Sequence, residues 1–194
     1  MKDPFKTRPL SFGQVVYAIS GSAQPSPVLI DRLRYLSRLG IPFAPEEATG
    51  SGNRRGYTFD HLFECGVAIV AWDFVKPRDL QQIVANHRTA LRKVGRDTLS
   101  LIGPEWGAFV VNPEPDRMPG DDRRIVLTDR HDPEPCTFYL LEGADRKPGR
   151  STVHALHRLP HTARITGRHI ALKSLVATLV FRGMEAPETK PGRQ

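Results

Sequence analysis

Asp31-Arg32-Leu33-Arg34-Tyr35-Leu36-Ser37-Arg38-Leu39-Gly40-Ile41 is the stretch on which the reading of this chain turns. Leu33, Leu36 and Leu39 recur at a spacing that places them on one helical face, while Arg32, Arg34 and Arg38 project around the rest. A helix of this kind seats on a core by its leucines and offers arginines to a polyanion. Gly40 ends it as a C-cap does. Upstream, Ser26 is a competent N-cap and Pro27 suits the first turn. Ser11 caps an earlier helix through about Ser20, with Phe12, Val15, Val16 and Ile19 inward, so the order is helix, tight turn, helix. Downstream, Gly52-Asn53-Arg54-Arg55-Gly56-Tyr57 puts two arginines and a tyrosine in a glycine-flanked loop, ahead of a helix opened by Thr58. That helix is expected to bury Leu62, Phe63, Val67, Ile69 and Val70, with Trp72 and Phe74 extending its core.

These residues resemble the MerR-type winged-helix transcription regulators. Leu33-Arg34-Tyr35 and Gly40-Ile41 match the family's recognition helix, and Arg55, Tyr57, Thr58 and Leu62 match its wing. The likeness covers residues 10–90. Leu36 replaces the family's second aromatic, Ser37 its acidic residue, and Asp31 stands where a basic residue is common. Beyond the likeness, patterning and composition suggest a small β-rich domain ending in a helix (residues 96–183) and a disordered tail (residues 184–194), so the chain as a whole is expected to be α+β. The resemblance implies that an N-terminal winged helix-turn-helix of four to five helices with a β-hairpin wing (residues 1–95) precedes them. It also implies a homodimer on double-stranded DNA, with Ser26, Asp31, Arg32, Arg34, Tyr35 and Arg38 on the recognition helix and Arg54, Arg55 and Tyr57 in the wing. Within the helix, Asp31 either pairs with Arg34 at i+3 or Tyr35 at i+4, holding the arginine fork in position, or accepts from a cytosine amino group.

Charge points to the same class of partner. The 194 residues carry 28 Lys and Arg against 21 Asp and Glu, a net charge of +7. Residues 1–95 hold 13 basic and 8 acidic side chains, so most of the excess lies in the first half. A basic balance favours polyanions. The two cysteines, Cys65 in an apolar run and Cys136 in a Pro-rich loop, suggest neither a disulfide framework nor a thiolate metal site. No apolar stretch approaches the roughly 20 residues that span a bilayer, and the first residues lack a signal-peptide core. A cytoplasmic, nucleoid-associated bacterial protein is the expectation.

Leu80, Ile83, Val84, His87, Leu91 and Val94 form a helical stripe ending near Gly95, either core packing or a dimer seam. From Ile102 to Val111 the composition suggests a strand pair. Further strands are expected over residues 124–128, 137–141 and 153–159, then a closing helix from Ile170 to Val180. His154, His157, His161 and His169, with His131 upstream, lack metal-ligand spacing and read as surface histidines rather than zinc ligands. No phosphate loop, nucleophile elbow or carboxylate pair appears, so no cofactor and no enzymatic role is expected. Two other classes remain: an excisionase-like recombination or architectural factor, and a ligand sensor or enzyme with its site after residue 96.

Overall fold

The computed structural model describes residues 1–47, 55–73, 75–111, 123–128, 138–142, 152–155 and 167–188. The first helix, α1 (Phe12–Ser20), opens with a reciprocal cap. Ser11 Oγ accepts from the Gln14 amide at 3.3 Å, and the Ser11 amide donates to Gln14 Oε1 at 2.9 Å. Gly21 ends it with φ at 67°, a left-handed conformation that other residues rarely adopt. After a short turn, Ser26 Oγ accepts from Leu29 N at 3.2 Å and starts α2 (Pro27–Arg38). Both caps therefore form where the sequence places them. A single 3-10 turn, Pro45–Glu47, follows α2.

Thr58 opens α3 (Phe59–Ala71), its amide donating to His61 Nδ1 at 3.2 Å. The fourth helix, α4 (Pro77–Ser100), is 24 residues long, about 36 Å at 1.5 Å per residue. It runs straight through Gly95, where the sequence predicts an end. A Cβ there would lie 2.7 Å from Phe63 Cδ1, so the glycine serves close packing of α4 on α3 rather than termination. The expected boundary between residues 95 and 96 falls inside this helix.

Residues 102–111 depart from the expected strand pair, because Glu105–Val111 is a helix, α5. Pro104 and Glu105 suit a first helical turn, and a short apolar run carries no periodicity that separates strand from helix. Four strands follow: β1 (Arg123–Thr128), β2 (Phe138–Glu142), β3 (Thr152–Ala155) and β4 (Gly167–Ala171). They pair antiparallel in the order β3-β2-β1-β4. The last helix, α6 (Leu172–Glu185), begins directly after β4, so Ile170 belongs to a strand and not to the closing helix.

The α+β expectation is overturned, since the described residues are mostly helical. The C-terminal half is no separate β-rich domain. Its helix α6 packs against α1, α3, α4 and α5, and Leu179 lies so close to Gly66 of α3 that a Cβ there would sit 2.5 Å from it. One hydrophobic core runs from Phe5 through Phe59, Phe63 and Leu91 to Val176 and Val180. Nor is there a β-hairpin wing among the described residues. Residues 48–54, Arg54 included, lie outside them, and Tyr57 instead makes an isolated bridge to Leu10, each amide donating to the other's carbonyl at 2.8 Å.

The α4 stripe resolves as core. Leu80, Ile83, Val84, Leu91 and Val94 are all buried within the single chain, and the outward side of the helix carries Gln81, Gln82, Asn86, Thr89 and Lys93. An apolar seam on this helix is therefore absent. Val70, expected inside, is 41% exposed at the end of α3.

Candidate nucleic-acid interface

Two faces divide α2. Leu33 and Leu36 are buried, and Leu29 and Ile30 pack partly against the same core. Because residues three, four and seven apart share a side, Val28, Asp31, Arg34, Tyr35 and Arg38 all emerge on the opposite face, and all are exposed. Arg38 sits in the last turn, where a cation also complements the helix dipole. Ser26 lies at the other end and is occupied as the N-cap.

The arginines of α2 are not equivalent. Arg32 leans back on the protein: its Nη1 is 3.1 Å from Asp73 Oδ1, and its guanidinium lies 5.4 Å from the centre of the Trp72 ring. Tyr35 meets the same tryptophan edge-on, with centroids 5.9 Å apart, yet keeps 39% of its surface in solvent. Trp72 and Asp73 thus fix the rotation of α2 on α3 from the outside, as Leu33 and Leu36 do from within. Arg34 stays outward, 3.8 Å from Asp31 Oδ1. Both side chains are more than half exposed, so this i,i+3 pair is weak in energy but consistent in direction.

Arg55 is exposed and lies with its guanidinium 5.0 Å over the Phe43 ring. Tyr57 requires a correction. It is only 6% exposed, edge-on to Phe43 at 4.9 Å, and burial pushes its phenol up to about 12. Its ring is a core group and offers nothing to a phosphate. Arg54 lies outside the described residues.

A second arginine cluster escapes sequence reading. Glu64, in the middle of α3, is fully buried and receives Arg88 Nε at 3.2 Å and Arg92 Nε at 2.5 Å, both from α4. Arg92 also forks onto Glu47, with Nη1 2.7 Å from Oε1 and Nη2 2.9 Å from Oε2, and donates to Pro42 O at 3.1 Å. Arg88 donates to Gly40 O, the carbonyl just past α2. The Arg92 guanidinium holds the Glu47 carboxyl down at about 2, while burial pushes Glu64 up against the pull of both arginines. This knot ties the segment leaving α2 to α3 and α4. One signal for it was present: a lone glutamate inside the apolar run Leu62-Phe63-Glu64-Cys65-Gly66-Val67, which a core accepts only with partners.

Among the described residues no three His, Cys, Asp or Glu side chains converge as a metal site. His154 and His169 fall on β3 and β4, whereas His131, His157, His161 and Cys136 lie outside the described residues. Cys65 is buried, and burial raises its thiol pKa, which disfavours thiolate chemistry there. No described helix is long and apolar enough to cross a membrane. No protein-family model, no curated protein and no solved structure matches the chain, so the functional reading rests on this geometry.

Proposed function

We propose that the protein binds double-stranded DNA in a sequence-selective way and regulates transcription, with α2 entering the major groove. One observation carries the reading: after a capped turn from α1, α2 turns its leucines to the core and leaves a continuous outward face bearing Arg34, Tyr35 and Arg38. At 12 residues it is about 18 Å long and slim enough for a groove about 12 Å wide. The likeness of Leu33-Arg34-Tyr35 and Gly40-Ile41 to MerR-like regulators points the same way.

In this reading Arg34 grips a guanine edge, because its planar fork matches O6 and N7. Arg38, Arg55 and the Tyr35 hydroxyl take phosphates and set the register. Arg32 acts through position, anchored by Asp73 and Trp72, and Ser26 acts as a cap. Two copies on an inverted repeat would place their half-sites one helical turn apart, about 34 to 36 Å. Selection of double-stranded DNA from a random library by the full-length chain tests the proposal. Enrichment of one motif, bound with an affinity that falls as salt rises, supports it. A chain that enriches nothing, or binds without salt dependence, rules it out. Light scattering of the protein with the enriched site checks the dimer: one copy per site removes the inverted-repeat arrangement.

A further inference from the structure

Val28 occupies the second position of α2 and is 61% exposed, more than any other large hydrophobic residue among those described. The core does not explain it, since Leu29 and Ile30 beside it join the core and Val28 does not. Helix stability does not explain it either. A β-branched residue at an exposed helical site is a poorer helix former than alanine. A lone surface valine is unremarkable in most places. This one shares a face with Asp31, Arg34, Tyr35 and Arg38, and it sits in the first turn, the part of a recognition helix that meets base edges.

The apolar group that a major-groove base edge presents is the 5-methyl of thymine. Resting on the DNA-binding reading above, we propose that Val28 reads that methyl group. The side chain supplies the methyl surface that direct readout of thymine needs, and the contact removes both apolar surfaces from water. Val28 and Arg34 are six residues apart, about 9 Å along the helix axis. At about 3.4 Å per base-pair step, that distance spans two or three steps. The target therefore carries a thymine two or three base pairs from the guanine that Arg34 contacts.

The test uses the full-length chain and the motif enriched from a random library. Each thymine of the motif is replaced in turn by deoxyuridine, which differs at that base only in lacking the 5-methyl. The wild type is expected to lose affinity about threefold to fivefold at one position, the worth of one buried methyl. Val28→Ala, which keeps only Cβ, should lose most of that difference there. That position should lie two or three base pairs from the one at which Arg34→Ala loses its guanine preference. Because Val28 is exposed, its replacement leaves the fold intact, which circular dichroism confirms. A motif with no deoxyuridine-sensitive position, or one at which Val28→Ala keeps the full difference, overturns the inference and leaves the DNA-binding reading standing. Failure to enrich any motif removes that reading and the inference with it.

Discussion

The knot around Glu64 and the outer face of α2 use the same side chain for opposite ends. In the first, Arg88 and Arg92 are largely buried and satisfied by Glu64, Glu47 and two backbone carbonyls. In the second, Arg34 and Arg38 stand in solvent, and among the described residues Arg34 pairs with the distant Asp31 carboxylate. Net charge counts all four alike. A basic composition therefore marks a polyanion-binding chain only after the arginines that hold the fold together are subtracted, and here two of the α4 arginines belong in that group. The region with a full set of partners governs stability; the region without them is free to meet something else.

The sharpest way to break this comparison is at the buried end. Glu64→Gln removes the charge that Arg88 and Arg92 share while leaving both guanidiniums largely out of water. Losing one partner of a buried ion pair costs about 3 to 5 kcal/mol, so the variant should unfold at markedly lower denaturant. A midpoint within error of the wild type would show that water or a rearranged Glu47 takes over the role of Glu64.

The exposed end should behave in the reverse manner. Arg34→Ala combined with Arg38→Ala touches no buried partner, and its effect on stability should stay within about 0.5 kcal/mol. DNA binding should weaken. If Arg38 contacts a phosphate and Arg34 a guanine, the log-log salt slope should fall by roughly one unit, and selectivity should relax at one base pair by about 1 to 3 kcal/mol. A double variant that binds with unchanged slope and an unchanged motif would move the interface away from α2.

How far the sequence discloses these two regions follows from where their determinants lie. Everything local to α1 and α2 can be read directly, because Ser11, Ser26 and Pro27 act within four residues of themselves. The stripe on α4 could be recognised but not assigned, since periodicity shows that a face is apolar and not what covers it; the cover is α3 and α6. At Gly95 a glycine required by Phe63 looks the same, in sequence, as a glycine that ends a helix. The basic neighbours of Tyr57 suggest an outward ring, whereas its bridge to Leu10 spans 47 residues and leaves no local mark. The Glu64 knot joins residues from three segments, so the lone glutamate signals a need without naming its partner.

Acid offers a third, smaller way to separate the two regions. The folded state holds Glu47 at about 2 against an ordinary 4.5, chiefly through its hydrogen bonds from Arg92. A lowered acid pKa adds stability above 4.5 that disappears as pH falls from about 4.5 to about 2. Glu47 is 30% exposed, and discounting the shift for solvent screening leaves about 1 to 2 kcal/mol. His61, whose pKa burial lowers from 6.5, acts in the same direction at higher pH, because its protonation is disfavoured in the fold. As pH drops the contribution of His61 is lost below 6.5 and that of Glu47 below 4.5. Glu64 and Asp60, whose pKa values burial raises, contribute in the opposite direction, so the Glu47 stage is read by denaturant titration as the difference between the wild type and a Glu47 variant. Glu47→Gln should remove that stage and be less stable at neutral pH. A variant whose stability still falls as steeply between pH 4.5 and 2 would assign the acid transition to other carboxyls.

The smallest expected effect is the most informative about the outer face. Asp31 is an anion on a helix proposed to approach polyphosphate, and its carboxylate lies 3.8 Å from Arg34 Nη1. An exposed i,i+3 pair is worth about 0.2 to 0.5 kcal/mol, so Asp31→Ala should scarcely change stability. Its effect on DNA separates two roles. If Asp31 accepts from a cytosine amino group, the variant should lose preference at a base pair of its own, and binding to unrelated DNA should be equal or tighter because a negative charge is gone. If it holds the Arg34 fork in place, preference should relax at the base pair Arg34 reads, and Arg34→Ala should add little to that loss in a double-mutant cycle. The contact favours the orienting role, because helical geometry alone brings the two side chains together while reach to a base depends on how α2 docks. A variant that returns the wild-type motif with unchanged affinity would make Asp31 a solvated residue, and Arg34 would then reach its base without help from its neighbour.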